Sequence, residues 1–119
     1  MARTAWILLV ALVASGCGER CVNREIQSLP SPSGKKAAVV FSRECSGAEP
    51  NVQVSVTRAN VRLPNVPGNA FIVAGQPALA VRWLSEESLS ISGYGTARVH
   101  KQESTVADTT IHYAPAPPP

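Results

Sequence analysis

Residues 51–58 read NVQVSVTR, and this stretch has the most regular hydrophobic pattern in the chain. Its three valines, Val52, Val54 and Val56, are separated by single polar residues. Because successive side chains of a β-strand point to opposite faces, this period of two places all three valines on one face. An α-helix would distribute the same valines around its circumference, so the stretch predicts a β-strand with one buried face.

Segments of similar character lie on both sides of this strand. Residues 36–42 contain the continuous apolar run Val39-Val40-Phe41, which is typical of a strand buried on both faces. Further strands are predicted at residues 70–74, 78–84, 88–92, 97–101 and 109–113. Short strands that recur at a spacing of roughly ten residues, with turn residues between them, predict an all-β fold. We expect a single small antiparallel sandwich, meander or barrel-like domain behind a signal peptide.

The N-terminal segment has the composition of an export signal. Arg3 supplies one positive charge, and residues 5–16 are apolar or small. A membrane-spanning helix needs about 20 apolar residues, whereas the apolar region of a secretory signal peptide needs only about 7–15. We therefore expect residues 1–16 to be a signal peptide. A buried N-terminal helix is the alternative, and it would show polar residues on one face.

The end of this segment, Ala14-Ser-Gly-Cys17, resembles the lipobox of bacterial lipoproteins. In that pattern, small or aliphatic residues precede an obligatory cysteine, and Ala14 stands where leucine is commonest. The resemblance implies that Cys17 begins the mature chain and carries a thioether-linked diacylglyceryl group. Ordinary cleavage after Gly16 is the alternative. Because Gly18 rather than aspartate follows the cysteine, the resemblance also implies an outer-membrane location facing the periplasm.

The cysteine count bears on the redox compartment. The chain has three cysteines. If Cys17 carries lipid, Cys21 and Cys45 remain, and an even pair in an exported chain predicts a disulfide. Zinc binding by these two cysteines with His100 and His112 is the alternative, but neither pair has the short spacing typical of zinc knuckles. We therefore expect no metal and no other cofactor.

Length and charge limit the domain organisation and the partners. We expect residues 17–24 to be the lipidated N-terminus and tether, 25–113 to be the β-domain, and 114–119, APAPPP, to be a mobile Pro-rich tail outside the sheets. The formal net charge is +3. The positive residues are scattered rather than arranged in a basic stripe with aromatic residues, which argues against a nucleic-acid partner.

The mature chain also resembles a family of small bacterial lipoproteins that has no assigned activity. The matching segments are Leu29-Pro-Ser-Pro-Ser-Gly-Lys35, Glu44-Cys-Ser46, the valines of 52–56, Gly68-Asn-Ala-Phe-Ile72, Val81-Arg-Trp-Leu84 and Leu89-Ser-Ile91. Ser33 stands where the family more often has aspartate. These segments are mostly turns and core positions. The resemblance therefore implies an envelope lipoprotein and supplies no catalytic residues.

No pattern in the sequence predicts catalysis. His100 and His112 are the only histidines. A histidine that acts as a catalytic base needs a nucleophile beside it and a further group that orients its ring, and the sequence indicates such a set for neither histidine. Glu86 and Glu87 form an acidic pair in a predicted turn, where carboxylates usually face water. Asp108 is the only aspartate. We therefore expect that the protein is not an enzyme.

Two aromatic residues receive different assignments. Trp83 is expected in the core, because it follows Leu79 and Val81 at every second position of a predicted strand and so shares their face. Tyr94 lies between two glycines and is the aromatic residue expected on a loop. Because tyrosine offers contact area at low entropic cost, Tyr94 is a candidate contact residue. Packing of Tyr94 over a bulge glycine is the other interpretation, and it is the one that we favour.

The sequence as a whole predicts a lipid-anchored protein of the bacterial cell envelope with a non-catalytic binding or accessory role. Its acyl anchor would contact membrane lipid, and another envelope protein is a second candidate partner. The alternative is an inhibitor of an envelope-directed hydrolase such as lysozyme, since small lipoproteins of that type share the size, the anchor and the disulfide. The sequence around Tyr94 faintly resembles their Ser-Gly-x-x-Tyr loop, although Ser92 and Tyr94 are closer together than that loop requires.

Overall fold

The computed structural model describes residues 20–119, which form two β-sheets packed face to face. The strands are β1 (Cys21–Pro30), β2 (Lys36–Cys45), β3 (Asn51–Arg58), β4 (Phe71–Val73), β5 (Ala80–Ser85), β6 (Ser88–Ser92), β7 (Val99–Gln102), β8 (Thr105–Val106) and β9 (Thr109–Ala114). The larger sheet has the order β1-β2-β3-β4-β7, and the smaller sheet has the order β5-β6-β9-β8. The predicted all-β fold is confirmed, and the sandwich is the one of the three predicted architectures that is observed. The predicted signal peptide and Cys17 lie outside the described residues.

One strand pair departs from the antiparallel prediction. Strands β6 and β9 run parallel, with Leu89 opposite Ile111, whereas the other pairs in the described part of the chain are antiparallel. After β6 the chain crosses to the larger sheet to form β7, and it returns through β8 to form β9. Because parallel neighbours cannot be joined by a tight hairpin, this excursion supplies the long connection that the pair requires.

The main core lies between the two sheets. The three valines of β3 face inward as predicted, and each is at most 3 % exposed. Opposite them, the smaller sheet contributes Leu89 and Ile91 from β6 and Ile111 from β9. Phe71 on β4 is fully buried in the same cluster. The alternation seen in the sequence therefore identifies the inner face of the larger sheet.

Strand β2 is buried on both faces, which confirms the interpretation of its continuous apolar run. Ala38 and Val40 face the main core. On the opposite face Ala37, Val39 and Phe41 form a second small core, and Leu63 packs against it. Leu63 belongs to the connection between β3 and β4, residues 59–70, which crosses the outer face of the larger sheet. This connection thus acts as a third layer over part of the sandwich.

The end of this connection is fixed to β3 by an asparagine that takes the place of a neighbouring strand. The Asn69 side chain accepts a hydrogen bond from the Val56 backbone N–H at 2.8 Å and donates one to the Val56 carbonyl at 2.9 Å. The preceding residue is Gly68, whose backbone N–H donates to the buried Gln53 side chain at 2.6 Å. A Cβ atom at Gly68 would lie 2.9 Å from the Val54 carbonyl oxygen, so the close approach of the two backbones requires glycine.

The tether predicted for residues 17–24 is wrong for residues 21–24, which belong to β1. Cys21 lies directly opposite Cys45 in the β1–β2 register, and the two form a disulfide. This confirms the predicted disulfide and fixes the start of β1 to the end of β2. The strand was missed because it is an edge strand whose side chains are mostly exposed, so it lacks an apolar period.

Two smaller differences concern the C-terminal part of the chain. The two-residue strand β8 was not predicted, because two residues carry no recognisable period. Ala114, placed in the Pro-rich tail by the sequence, is the last residue of β9. Residues 115–119 form no strand, although the Pro115 carbonyl accepts a hydrogen bond from the Gly95 backbone N–H at 2.8 Å.

Replacement of Asn69 by alanine should destabilise the fold strongly. The change leaves the N–H and the carbonyl of Val56, a residue only 1 % exposed, without their partners. We expect the free energy of unfolding to fall by about 2–4 kcal/mol, because each unsatisfied buried group costs about 1–3 kcal/mol. Urea denaturation of the variant would measure the loss.

The matched control is Asn65→Ala, since the Asn65 side chain also bonds to the backbone but in an exposed setting. We expect this control to lose less than about 1.5 kcal/mol. Equal losses in the two variants would show that Asn69 does not replace a strand neighbour.

Candidate functional site

The two ends of the sandwich differ in what they offer. We call the end formed by Arg20, the Cys21–Cys45 bridge and the loops 46–50, 74–79 and 93–98 the disulfide end. The opposite end, formed by the turns 31–35, 86–87 and 107–108, is called the distal end. Two surface grooves, described below, begin at the disulfide end. At the distal end, hydrogen bonds connect the two sheets.

The first groove runs along the free edge of β1 and is called the edge groove. It has a volume of about 590 Å³ and is lined by Cys21, Val22, Asn23, Glu25, Arg62, Leu63 and Asn65. This volume falls within the range of about 300–1,000 Å³ that is typical of ligand sites. Val22 is 51 % exposed, so the groove offers apolar as well as polar contacts.

Among residues 20–119, the free backbone edge of β1 has hydrogen-bond partners at its two ends and none between them. The Asn65 side chain donates to the Cys21 carbonyl at 3.0 Å, and the Trp83 indole N–H donates to the Leu29 carbonyl at 2.9 Å. A bulge between Glu25 and Gln27 interrupts the register between these points. An unpaired strand edge beside a groove is the geometry that accepts an extended segment from another chain, and the bulge limits such pairing to the first half of β1.

A polar network holds the wall of the edge groove in place. The Arg43 guanidinium donates to the Asn23 side-chain oxygen at 2.8 Å and to the Asn65 side-chain oxygen at 3.0 Å. The Asn23 amide in turn donates to the carbonyls of Pro64 and Val66, each at 3.0 Å. The loop that covers the outer face is thus fastened to β1 and β2 by side chains, which fixes the width of the groove.

The second groove lies on the outer face of the larger sheet, on the other side of this network. It has a volume of about 380 Å³ and is lined by Arg43, Cys45, Ala48, Glu49, Asn51, Gln53, Pro67, Ile72 and His100. The lining thus combines an imidazole, a guanidinium and a carboxylate with apolar surface. The two grooves share the Asn23–Arg43–Asn65 network as their common wall.

The remaining residues that the sequence singled out for chemistry do not converge. His100 lies on β7 in the larger sheet and His112 on β9 in the smaller sheet. Within residues 20–119, no group of three or more His, Cys, Asp or Glu side chains is placed to hold a metal ion. Cys21 and Cys45 are bonded to each other, so they are not the zinc ligands of the alternative considered from the sequence.

Glu86 has a structural contact at the distal end. Its carboxylate accepts hydrogen bonds from the Ser33 backbone N–H at 2.8 Å and from the Ser31 hydroxyl at 3.0 Å. These bonds, that of the Ser33 backbone foremost, hold the pKa of Glu86 below its ordinary value, and the Lys36 charge adds to the effect. The turn between β5 and β6 is thereby fastened to the turn between β1 and β2.

Lys36 adds a second connection at this end. Its ammonium donates to the Thr109 hydroxyl at 2.9 Å and lies 5.5 Å from the centre of the Trp83 ring. Thr109 is fully buried, so this contact reaches into the space between the sheets. Trp83 packs against the main core as predicted and is partly buried.

Tyr94, the candidate contact residue, is not displayed on the surface. It is only 8 % exposed and belongs to the main core, where its ring centre lies 5.1 Å from that of Phe71. Display of Tyr94 as a contact residue is therefore wrong, and its burial agrees with the favoured interpretation, in which the ring packs inward at the glycine bend. The glycines adopt positive φ angles of 90° and 59°, which turn the chain so that the ring points inward. The hydrolase-inhibitor hypothesis loses the exposed aromatic residue on which its loop resemblance depended.

Asn23, Arg43 and Asn65 were missed at the sequence level. They are separated by about twenty residues or more along the chain, and nothing local in the sequence brings them together. The faint signal was the pair of prolines around Asn65, which indicated an extended connection.

Comparisons with protein-family models, curated proteins and solved structures find no match for this chain.

The Glu86 hydrogen bonds predict an acid-dependent part of the stability. A carboxylate with a lowered pKa stabilises the fold while it is ionised, so its contribution is present above pH 4.5, the ordinary pKa, and is lost as the pH falls through the lower folded-state pKa. We expect the free energy of unfolding of Glu86→Gln to fall less than that of the unmodified protein when the pH is lowered from 4.5. Thermal unfolding measured across this range would test the expectation.

Glu87→Gln is the matched control, since the Glu87 carboxylate accepts no hydrogen bond in the described part of the chain. The control should retain the pH dependence of the unmodified protein. An identical pH dependence in the two variants would contradict the role given to Glu86.

The burial of Tyr94 predicts a large difference between two substitutions. Tyr94→Ala should lower the free energy of unfolding by about 3–5 kcal/mol, the usual cost of removing a buried aromatic ring, whereas Tyr94→Phe should cost less than about 1.5 kcal/mol. Urea denaturation of both variants would measure the difference. If Tyr94→Ala were as stable as the unmodified protein, the ring would not be part of the core.

Proposed function

We propose that this chain is a lipid-anchored protein of the bacterial cell envelope that acts by binding rather than by catalysis. Acyl chains on Cys17 would hold it in the outer membrane, with the β-domain facing the periplasm. The grooves at the disulfide end would provide the binding surface, and another envelope protein is the partner class that their mixed polar and apolar lining favours.

The observation that carries the export part of the proposal is the Cys21–Cys45 disulfide. Disulfides persist in oxidising compartments outside the cytoplasm, and this one begins four residues after the lipobox cysteine. The proximity also supports anchoring near the membrane. Four residues extend at most about 14 Å, so a lipid on Cys17 would keep the disulfide end close to the bilayer.

The strength of such an anchor follows from the acyl chains. Each buried methylene contributes about 0.8 kcal/mol, and a single chain gives only reversible membrane binding, whereas two or more chains hold a protein stably. A cysteine with a diacylglyceryl thioether and a further acyl chain on its amine meets this condition. The domain therefore needs no apolar span of its own. Residues 20–119 contain no helix with the length and hydropathy to cross a membrane.

The placement of polar side chains supports binding rather than catalysis. At the distal end, Glu86 binds the turn between β1 and β2, and Lys36 binds Thr109. Both charged groups therefore connect the two sheets. At the disulfide end, the Asn23–Arg43–Asn65 network shapes the walls of two grooves. Rigid walls favour binding, because a preformed groove loses little conformational entropy when a partner enters.

The first test is the intact, non-reduced mass of the protein extracted from the membranes of a Gram-negative bacterium that expresses the full chain. We expect a chain that starts at Cys17, is heavier by a diacylglyceryl group and an acyl chain, and is lighter by the two hydrogens of one disulfide. Reduction should restore those two hydrogens and leave the lipid in place.

Cys17→Ser is the control variant, because it removes the thiol that would bear the lipid and retains the other two cysteines. We expect the variant to leave the membrane fraction while its disulfide still forms. An unmodified mass for the original protein, recovered in the soluble fraction, would contradict the anchor.

A further inference from the structure

We propose that the first half of β1 takes up an extended segment of another envelope protein as an added antiparallel strand. The segment carries an acidic residue opposite Arg24 and an apolar residue opposite Val22. The inference rests on the binding role in the proposed function and deepens it, because it names the form and the chemistry of the partner. It makes no use of the lipid anchor.

The direction of the backbone groups is the first observation. The Cα atoms of Cys21 and Cys45 lie 3.9 Å apart, and such close pairs in antiparallel strands are those that do not exchange hydrogen bonds. The Cys21 backbone therefore points away from β2, and its carbonyl accepts from the Asn65 side chain instead. Because this direction alternates, the N–H and C=O groups of Asn23 and Glu25 also point to the free edge. Within residues 20–119 these four groups have no partner.

The available edge is short and has a definite limit on each side. Asn65 occupies the Cys21 carbonyl at one limit, and the bulge between Glu25 and Gln27 ends regular pairing at the other. Residues 22–25 remain, which at about 3.3 Å per residue extend about 13 Å. The edge groove beside them has a volume of about 590 Å³. The site therefore fits a short extended segment rather than the whole edge of a second sheet.

A second copy of this chain is a poor occupant of this edge. Two identical strands that pair in antiparallel orientation through these groups place one residue opposite its own copy. Pairing centred on Arg24 or on Glu25 brings like charges together, which destabilises the pair. Pairing centred nearer the start of β1 needs the Cys21 carbonyl, which the Asn65 side chain already occupies. The edge therefore favours a strand of different sequence.

The side chains on one side of the edge indicate the chemistry of that strand. Val22 is 51 % exposed and lies opposite Glu44 on β2, and Arg24 is exposed and lies opposite Ser42. Glu44 is the acidic residue on this side of the β1–β2 pair, and it is not placed directly opposite Arg24. Cross-strand pairs of opposite charge, and pairs of apolar residues, stabilise a sheet. An acidic residue beside Arg24 and an apolar residue beside Val22 therefore complement the free side of β1.

The other side of the edge limits the size of the remaining side chains. Asn23 and Glu25 point to this side, where residues 62–65 form the facing wall of the groove. The Asn23 amide is already bonded to the carbonyls of Pro64 and Val66. Small side chains with a high preference for strands, such as threonine, therefore suit the positions opposite Asn23 and Glu25.

The experiment adds the capped peptide Thr-Glu-Thr-Val-Thr to the isotope-labelled full-chain protein, purified from membranes in detergent. In antiparallel pairing its central threonine lies opposite Asn23, its glutamate opposite Arg24 and its valine opposite Val22. We expect the backbone amide NMR signals of Asn23 and Glu25 to move on titration and their hydrogen exchange to slow, because both N–H groups gain an acceptor. Unchanged signals at millimolar peptide would overturn the proposal.

Two N-methylated peptides separate strand pairing from adhesion of side chains. A methyl group on the central threonine removes the N–H that donates to the Asn23 carbonyl, so we expect the affinity to fall about tenfold. A methyl group on the valine is the matched control, because that N–H points away from β1 and its loss should change the affinity by less than about twofold. Equal affinities of the two methylated peptides would refute backbone pairing.

A pair of protein variants tests the same point from the other side. Glu25→Pro removes an outward N–H, a change that an edge strand tolerates, whereas Glu25→Thr removes the same carboxylate and retains the N–H. We expect Glu25→Pro to lose peptide binding and Glu25→Thr to retain it. Retained binding by Glu25→Pro would argue against the added strand.

Charge exchange tests the chemistry assigned to the segment. A peptide with lysine in place of the glutamate should bind the unmodified protein more weakly, and Arg24→Glu should reverse this preference. A preference that is the same in Arg24→Glu and in the unmodified protein would overturn the acidic position of the segment.

The intact mass of the same preparation separates this proposal from the proposed function. No response to the peptide in a protein that carries lipid on Cys17 would overturn strand addition and leave the anchor and the second groove in place. A response in a protein without that lipid would overturn the anchor and support strand addition. Signals of Asn23 and Glu25 that move with protein concentration alone would show that a second copy occupies the edge, against the choice of a foreign segment.

Discussion

Burial of both faces of the central strands is the constraint on which the rest of this fold depends. Strand β2 places Ala38 and Val40 on one side and Ala37, Val39 and Phe41 on the other, so neither side can remain in water. The smaller sheet covers the inner side. The connection between β3 and β4 covers the outer side, and its path explains why Gly68 and Asn69 are needed where it rejoins β3. The edge groove and the second groove, which lies on the outer face of the larger sheet, exist because this covering is partial.

The parts of the structure that could be predicted from the sequence are those with a local cause. The strands 51–58 and 88–92 were predicted with their observed bounds, because alternating apolar residues mark a strand with one buried face. The disulfide followed from an even number of remaining cysteines in an exported chain. Strand β1 could not be predicted, because an exposed edge strand has no hydrophobic period and is held by pairing and a covalent bond. Display and packing of Tyr94 both stayed open at the sequence level, because the direction of a side chain between two glycines depends on φ angles that the sequence does not fix.

The candidate site was harder to predict than the fold for a related reason. Asn23, Arg43 and Asn65 are ordinary polar residues in sequence, and their meaning comes from contacts between segments that are distant in the chain. The distal carboxylate is similar, since Glu86 was expected to face water and instead binds Ser31 and Ser33. Polar side chains in this small domain thus serve mainly as fasteners between layers. A short chain with a small core needs such fasteners, because buried apolar area alone provides limited stability.

The parallel pairing of β6 and β9 has a consequence for how the molecule is assembled in time. Strand β9 is the last strand of the chain, yet it occupies an interior position in its sheet, between β6 and β8. The smaller sheet therefore stays split until residues 109–114 arrive, and those residues can enter only after the chain has passed through β7. Contacts between segments so far apart in sequence slow folding, because the entropy of loop closure is lost before the contact is gained. A chain that is synthesised or exported N-terminus first would thus expose the unpaired edge of β6 until its C-terminal residues appear. During this interval, aggregation competes with folding.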